Sequence, residues 1–176
     1  MRRPDPSEYF EYYGRYVDLV PDGDIIAILA EEMLRTLDVL AAVPPDLADY
    51  RYAPEKWTVK EVIGHVIDAE RVFGYRALHF ARRDPASLPS MEENEWARAS
   101  NAAARSMESL AKEYALVRES HIALLKGFDE EMSTLKGTAS GYEFSVRTFP
   151  YLMAGHEIHH RGVLLDRYLG SGGSGS

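Results

Sequence analysis

Three of the six histidines in this chain, His156, His159 and His160, fall within five residues, in the string AGHEIHHRG at 154–162. Imidazole is the side chain most ready to ligate a metal or carry a proton near neutral pH. The flanking strings, FPYLM and VLLDRYL, read as the core face of a helix. On a helical wheel Phe149, Met153, His156, His160, Val163, Leu164 and Arg167 fall within about 60° of one direction. His156 and His160 therefore sit near the centre of the apolar stripe, one turn apart, and His159 lies about 100° away toward its flank. Histidines at i and i+4 stack on one face and can converge on one ion. Burying two unpartnered imidazoles costs on the order of a kcal/mol or more each, so a shared ion accounts for both. Hydrogen-bonded core histidines are the alternative.

A third ligand should come from a facing helix. His65, in GHVIDAE at 64–70, shares its side with Val62, Ala69, Val72 and Phe80 and so also looks inward. His79 lies roughly 20 Å further along that helix, too far to join. His121 is isolated; both read as structural or surface residues. Asp68, about one turn beyond His65, could orient an imidazole N–H or accept a proton, or be a solvated carboxylate. Glu157 stands about 80° from the centre of the apolar stripe. It reads as a flanking or surface carboxylate, with support of the site or catalysis as the second possibility. Tyr75, Arg76 and Trp96 could line a pocket, but nothing in the sequence fixes their direction. Three neutral imidazoles leave a divalent ion's charge uncompensated and a coordination position open, the layout of a catalytic site. Such an ion can bring a bound water to a pKa of about 7 or hold a thiol as thiolate.

HEIHH also spells H-E-x-x-H, the zinc-protease signature, in which Glu157 would be the general base. Asp166 stands where one metalloprotease class has its third ligand. The glycine that class needs is one position early, its sheet has no support in the sequence, and His65 would go unused.

The elements that must position these residues are helical. After Asp22-Gly23-Asp24, the residues Ile25, Ile28, Leu29, Met33, Leu37, Leu40 and Ala41 recur mostly at three- and four-residue steps, and Pro44-Pro45 stops that helix. Thr58 and Glu61 in TVKE form a capping box that opens a helix to about residue 83. SMEE at 90–93 reads as a second capping box, for a short helix through Trp96. A long helix is expected over 102–126, with Leu110, Tyr114, Val117, His121 and Leu124 on one stripe and Gly127 as its stop. Residues 128–144 read as loop with room for a hairpin. The last helix starts between Ser145 and Thr148, where Pro150 is tolerable near the start, and runs to Leu169. Four long helices without a strand series predict an all-α four-helix bundle. Residues 4–24, rich in Tyr, Pro and Asp, predict an extended N-terminal arm that packs aromatics on the body.

Residues 1–169 suit one domain, and GSGGSGS at 170–176 reads as a flexible linker. No apolar run approaches 20 residues, and the N-terminus has no apolar signal core, so a cytoplasmic protein with no membrane partner is expected. The absence of cysteine excludes disulfides, Cys-ligated zinc, iron–sulfur clusters and a cysteine nucleophile. A net charge of −8, with acids and bases interspersed, argues against nucleic-acid binding through phosphates.

KWTVKEVIGHVIDAERVFGYRAL (56–78), followed by SVRTFPYLMAGHEIHHRGVLLDRYL (145–169), resembles the DinB/YfiT-like superfamily of metal-dependent proteins. The likeness covers roughly 25–169. It rests on the W-[ST]-x-[KR]-E-x-x-x-H opening and the paired-histidine closing helix. The resemblance implies a four-helix bundle, often a homodimer, with one divalent metal on His65, His156 and His160 and with His159 outside the ligand set. Zn or Ni suits three histidines first, then Fe, Co or Mn. The resemblance further implies a transferase that passes a low-molecular-weight thiol cosubstrate to a small electrophile. A hydrolase using a metal-bound hydroxide and a non-enzymatic, stress-related metal-binding bundle are the alternatives.

Overall fold

A computed structural model describes residues 1–170; apart from Gly170, the expected linker at 170–176 lies outside the described residues. The long helices are α2 (Ile25–Ala41), α3 (Val59–Ala81), α5 (Met107–Lys126) and α7 (Thr148–Val163). Shorter ones are α1 (Gly14–Val17), α4 (Glu93–Ala99) and α6 (Glu130–Thr134), with one hairpin of β1 (Lys136–Ala139) and β2 (Tyr142–Ser145). Both α2 and α3 pack on α5 and on α7. The sequence neighbours α2 and α3 therefore occupy opposite corners of a four-helix bundle. No helix among the described residues is long and apolar enough to cross a membrane.

Local signals set most helix starts. Asp24 caps α2 by accepting from the amide of Ile26. The Thr58–Glu61 capping box closes in both directions, at 3.1 and 2.7 Å. Pro150 sits in the first turn of α7, where amides have no intrahelical acceptor to lose. Beyond Val163 the chain continues as a wider π-helical turn, Leu164–Leu169, pinned where the Tyr168 hydroxyl donates to the carbonyl of Trp57 at 2.6 Å.

Four expectations need correcting. Ser90 does not cap a helix, and α4 begins three residues later. The two residues before Ser90 are engaged elsewhere, Leu88 with the hairpin and Pro89 as an acceptor for Arg76. The long third helix is broken at its start: Asn101 turns left-handed, 102–104 form a 3-10 turn, and Ser106 caps α5 by accepting from Ser109. Residues 128–144 are not all loop, since they include α6; the hairpin they had room for is present, and its two-residue tip, Ser140-Gly141, has positive φ at both positions, the type I′ form that matches strand twist. The N-terminal arm packs aromatics on the body, but it is wound into two 3-10 turns and α1 rather than extended.

The core has two apolar clusters. One joins Val17, Ile25, Leu29, Phe80, Phe144 and Phe149 at the arm and hairpin end. The other joins Leu40, Val59, Ile63, Leu110, Leu164 and Tyr168 at the opposite end.

Candidate metal centre

Helices α3 and α7 lie side by side, and the stripe positions of α7 turn His156 and His160 toward His65 on α3. His156 Nε2 lies 3.1 Å from His65 Nε2 and 3.1 Å from His160 Nε2. Ligand nitrogens of the three residues all fall within 4.8 Å of one another. One imidazole nitrogen carries a single in-plane site, either a hydrogen or a lone pair. His156 Nε2 therefore cannot hydrogen-bond to both neighbours. Donors sharing one ion at about 2.1 Å stand roughly 3.0–3.4 Å apart, so the observed spacing fits a shared cation. His160 Nδ1, buried with no hydrogen-bond partner, is a further polar atom left over.

Burial keeps these imidazoles uncharged. It lowers the pKa of His65 to about 4 and that of His160 to about 3, with His65 and His159 adding to the effect on His160. His156 is driven well below the ordinary value by burial first and then by His160, His65 and His159. Lone pairs are thus available at neutral pH. His159 is exposed and outside the cluster, edge-on to Tyr16 and His160.

Aromatic rings fix the rim. Trp57, from the loop before α3, stacks obliquely on His65 at 4.7 Å between centroids. Tyr16 meets His156 edge-on at 5.3 Å. It can do so because α1 lies directly on α7 at Gly155, where a Cβ would come within 2.0 Å of the Tyr16 carbonyl oxygen. Two clefts reach the cluster. One, of about 190 Å³, exposes His65 and His156 beside Tyr16, Phe73 and Arg76. The other, of about 350 Å³, reaches His160 beside Trp57 and Tyr168. Glu93 of α4 lines both.

Neither candidate carboxylate, Asp68 or Glu157, pairs with an imidazole; each has other partners. Asp68 is half-buried and faces Arg71 at 3.8 Å, one turn along α3. Glu157 is 1 % exposed, so the flanking or surface reading is corrected. Thr36 donates to it at 2.6 Å, Tyr114 makes a shorter hydrogen bond, and Arg118 Nη1 lies 2.6 Å from Oε2. Arg118, fully buried, also grips both oxygens of Glu70 on α3, at 2.7 and 2.9 Å. Burial acts to raise the Glu70 pKa, but Arg118 and His121 outweigh it and the net shift is downward. This network ties α2, α3, α5 and α7 together and occupies the carboxylate that a protease reading would need as base. Asp166 is exposed. His79 Nε2–H donates to the Ala86 carbonyl at 2.9 Å, and His121 contacts Glu70, both away from the cluster.

Sequence reasoning missed Arg118, Trp57 and Tyr16. A signal existed for Arg118, which follows Leu110 and Tyr114 at four-residue spacing and so puts a cation in an apolar stripe. Trp57 stands within the opening motif. Tyr16 had no signal, since its place depends on how the arm folds back.

A family model described as the DinB superfamily matches residues 29–164. Among solved structures, YfiT from Bacillus subtilis is similar, with a TM-score of 0.76 and 14 % identity over 97 % of this chain and 94 % of that one. It is described as a probable metal-dependent hydrolase with an unusual four-helix bundle topology. A DinB-like protein from Bacillus subtilis, YjoA, is similar with a TM-score of 0.61 and 19 % identity, over 86 % of this chain and 94 % of that one. No curated protein matches the sequence significantly.

Proposed function

This chain belongs to the DinB superfamily, and from that premise we propose that it is a divalent-metal-dependent enzyme whose ion is held by His65, His156 and His160. Its proposed activity is transfer of a low-molecular-weight thiol to a small electrophile. The observation that carries the metal reading is the double 3.1 Å approach at His156 Nε2, which hydrogen bonding alone cannot satisfy. A neutral three-nitrogen donor set favours an anionic nucleophile in the open position, with Zn or Ni as the expected ion. When bound, the ion supplies Lewis acidity that brings a thiol or a water toward ionisation at neutral pH.

The chain's own residues supply the rest. Burial keeps the three imidazoles neutral at pH 7, so each ring has one nitrogen with a free lone pair. Trp57 and Tyr16 hold two of the rings from outside, and Phe73 keeps the cleft wall apolar beside His156. Glu93, lining both clefts, is the carboxylate proposed to take the proton of the incoming thiol. Hydrolysis by activated water is the second reading, favoured by the description of the structurally similar YfiT.

Metal content per chain, measured by mass spectrometry after loading with Zn or Ni, is the first test. About one ion is expected, with a large loss in His65→Ala and in His156→Ala. A protein that cannot be loaded overturns the reading. With metal bound, chelator-sensitive conjugation of thiols to chlorodinitrobenzene supports transfer. Chelator-sensitive ester cleavage without thiol supports hydrolysis instead. Neither activity leaves a metal-binding bundle.

A further inference from the structure

Arg76 is 4 % exposed, yet among the described residues no carboxylate lies within ion-pair distance of it. Its Nη2 donates to the Pro89 carbonyl at 2.8 Å and to Ser140 Oγ at 3.0 Å, and Tyr13 is its other polar neighbour. All three are neutral. The other arginines of the interior are matched: Arg118 meets Glu70 and Glu157, Arg147 meets Glu8, and Arg161 meets Glu32. A buried cation without a counter-charge is costly, so Arg76 calls for a compensating reason.

Its position supplies one. Arg76 lines the same cleft as His65 and His156. His65, Ala69, Phe73 and Arg76 follow one another along one face of α3, so that the cleft runs from the histidines toward the guanidinium. Eleven residues span about 16 Å of helix axis, and an arginine side chain leans back toward the helix N-terminus, leaving on the order of 10 Å to bridge. The guanidinium is also held before any ligand arrives. Leu88 donates to Thr138 at 2.9 Å and accepts from Ser140 at 3.0 Å, which locks the loop carrying Pro89 to the hairpin tip carrying Ser140. With both Nη2 hydrogens committed, Nε and Nη1 carry three N–H donors; Tyr13 engages one, which leaves two.

We propose that Arg76 anchors a carboxylate of the substrate, so that the enzyme takes an elongated small molecule bearing an anionic group at one end and its reacting atom at the histidine end. The reacting end of this inference rests on the metal-dependent reading; the anchoring end does not. Two remaining donor groups suit the two oxygens of a carboxylate. Glu93 on the same cleft disfavours a dianionic phosphate.

The test uses glutathione, a carboxylate-bearing thiol, and its diethyl ester, with binding measured by calorimetry on the zinc-loaded protein. The acid is expected to bind at least tenfold more tightly than the ester. Arg76→Gln should erase that difference while keeping the parent's zinc content, and Arg76→Lys should restore part of it. Equal binding of acid and ester by the parent, or binding of neither, overturns the anchor, as does an Arg76→Gln variant that still discriminates. If Arg76→Gln does not fold by circular dichroism, the acid–ester comparison on the parent and on Arg76→Lys decides. S-methylglutathione separates the two ideas, because it has no free thiol. If the parent holds no zinc but binds S-methylglutathione in an Arg76-dependent way, the anchor stands and the metal reading fails.

Discussion

Arg118 Nη1 and Glu157 Oε2 meet 2.6 Å apart in the interior, one residue along α7 from His156. The same guanidinium holds Glu70 on α3, five residues beyond His65. One arginine on α5 therefore clamps both helices that carry the imidazoles and fixes their rotation. Replacing Arg118 with Met leaves two buried carboxylates without their cation, at a cost of about 3–5 kcal/mol. Metal affinity should fall by roughly 10–100-fold, because the supporting contacts aim the ligands. Urea unfolding and competition with a chromogenic chelator measure the two effects, and an unchanged affinity in a folded variant would remove the positioning role.

Metal loading should itself stabilise the bundle. At a free zinc concentration of 100 times Kd, the expected gain is about 2.7 kcal/mol, reversed by chelator. The shift should vanish in His156→Ala, whose Nε2 is the one shared by both close contacts. Thermal unfolding with and without zinc checks this, and a shift that survives in His156→Ala would point to a different site.

Acid should loosen the N-terminal arm. The Glu8 carboxylate is held at a pKa of about 2, first of all by its hydrogen bonds to Arg147. A depressed acid pKa stabilises the fold above the unfolded value near 4.5, and that contribution drains away as pH falls from 4.5 toward 2. It amounts to up to about 3 kcal/mol. Glu8→Gln should flatten the stability profile in that window and lower stability at neutral pH. Denaturant midpoints from pH 7 to pH 2 give the comparison, and parallel profiles for the two proteins would count against it.

The two glycines that flank HEIHH, Gly155 and Gly162, should respond in opposite ways to alanine. At Gly155 a Cβ would strike the Tyr16 backbone, so Gly155→Ala should cost about 1–3 kcal/mol and lift Tyr16 from its place beside His156. Gly162, further along α7, has nothing within 4 Å of the added carbon, so Gly162→Ala should be neutral or stabilising by up to about 1 kcal/mol. Equal effects in chemical denaturation would refute the close seating of α1 on α7.

The helices and the three imidazoles were legible in the sequence because their signals are local or periodic. The Thr58–Glu61 box, Asp24, the prolines and the i,i+4 histidine pair act within a turn or two of chain, so spacing alone specifies them. His65 was legible because one apolar face implies one inward direction. What spacing could not specify was which polar residues would be brought together across the bundle. Glu157 lies on the flank of the stripe, and only the packing of α2 and α5 over that flank buries it against Thr36, Tyr114 and Arg118. The late start of α4 goes with the distant hairpin, which holds Leu88 in a β-bridge just ahead of the expected cap. Asp68 turned to Arg71 because a charged partner one turn away was within reach. Arg76 owes its burial to a loop and a hairpin that meet over it. The sequence by itself determined the long helices and the inward direction of the three imidazoles, through interactions of a few residues' range. Only the tertiary structure decided the charge network and the cleft, because those depend on contacts between residues distant in sequence, which no local period encodes.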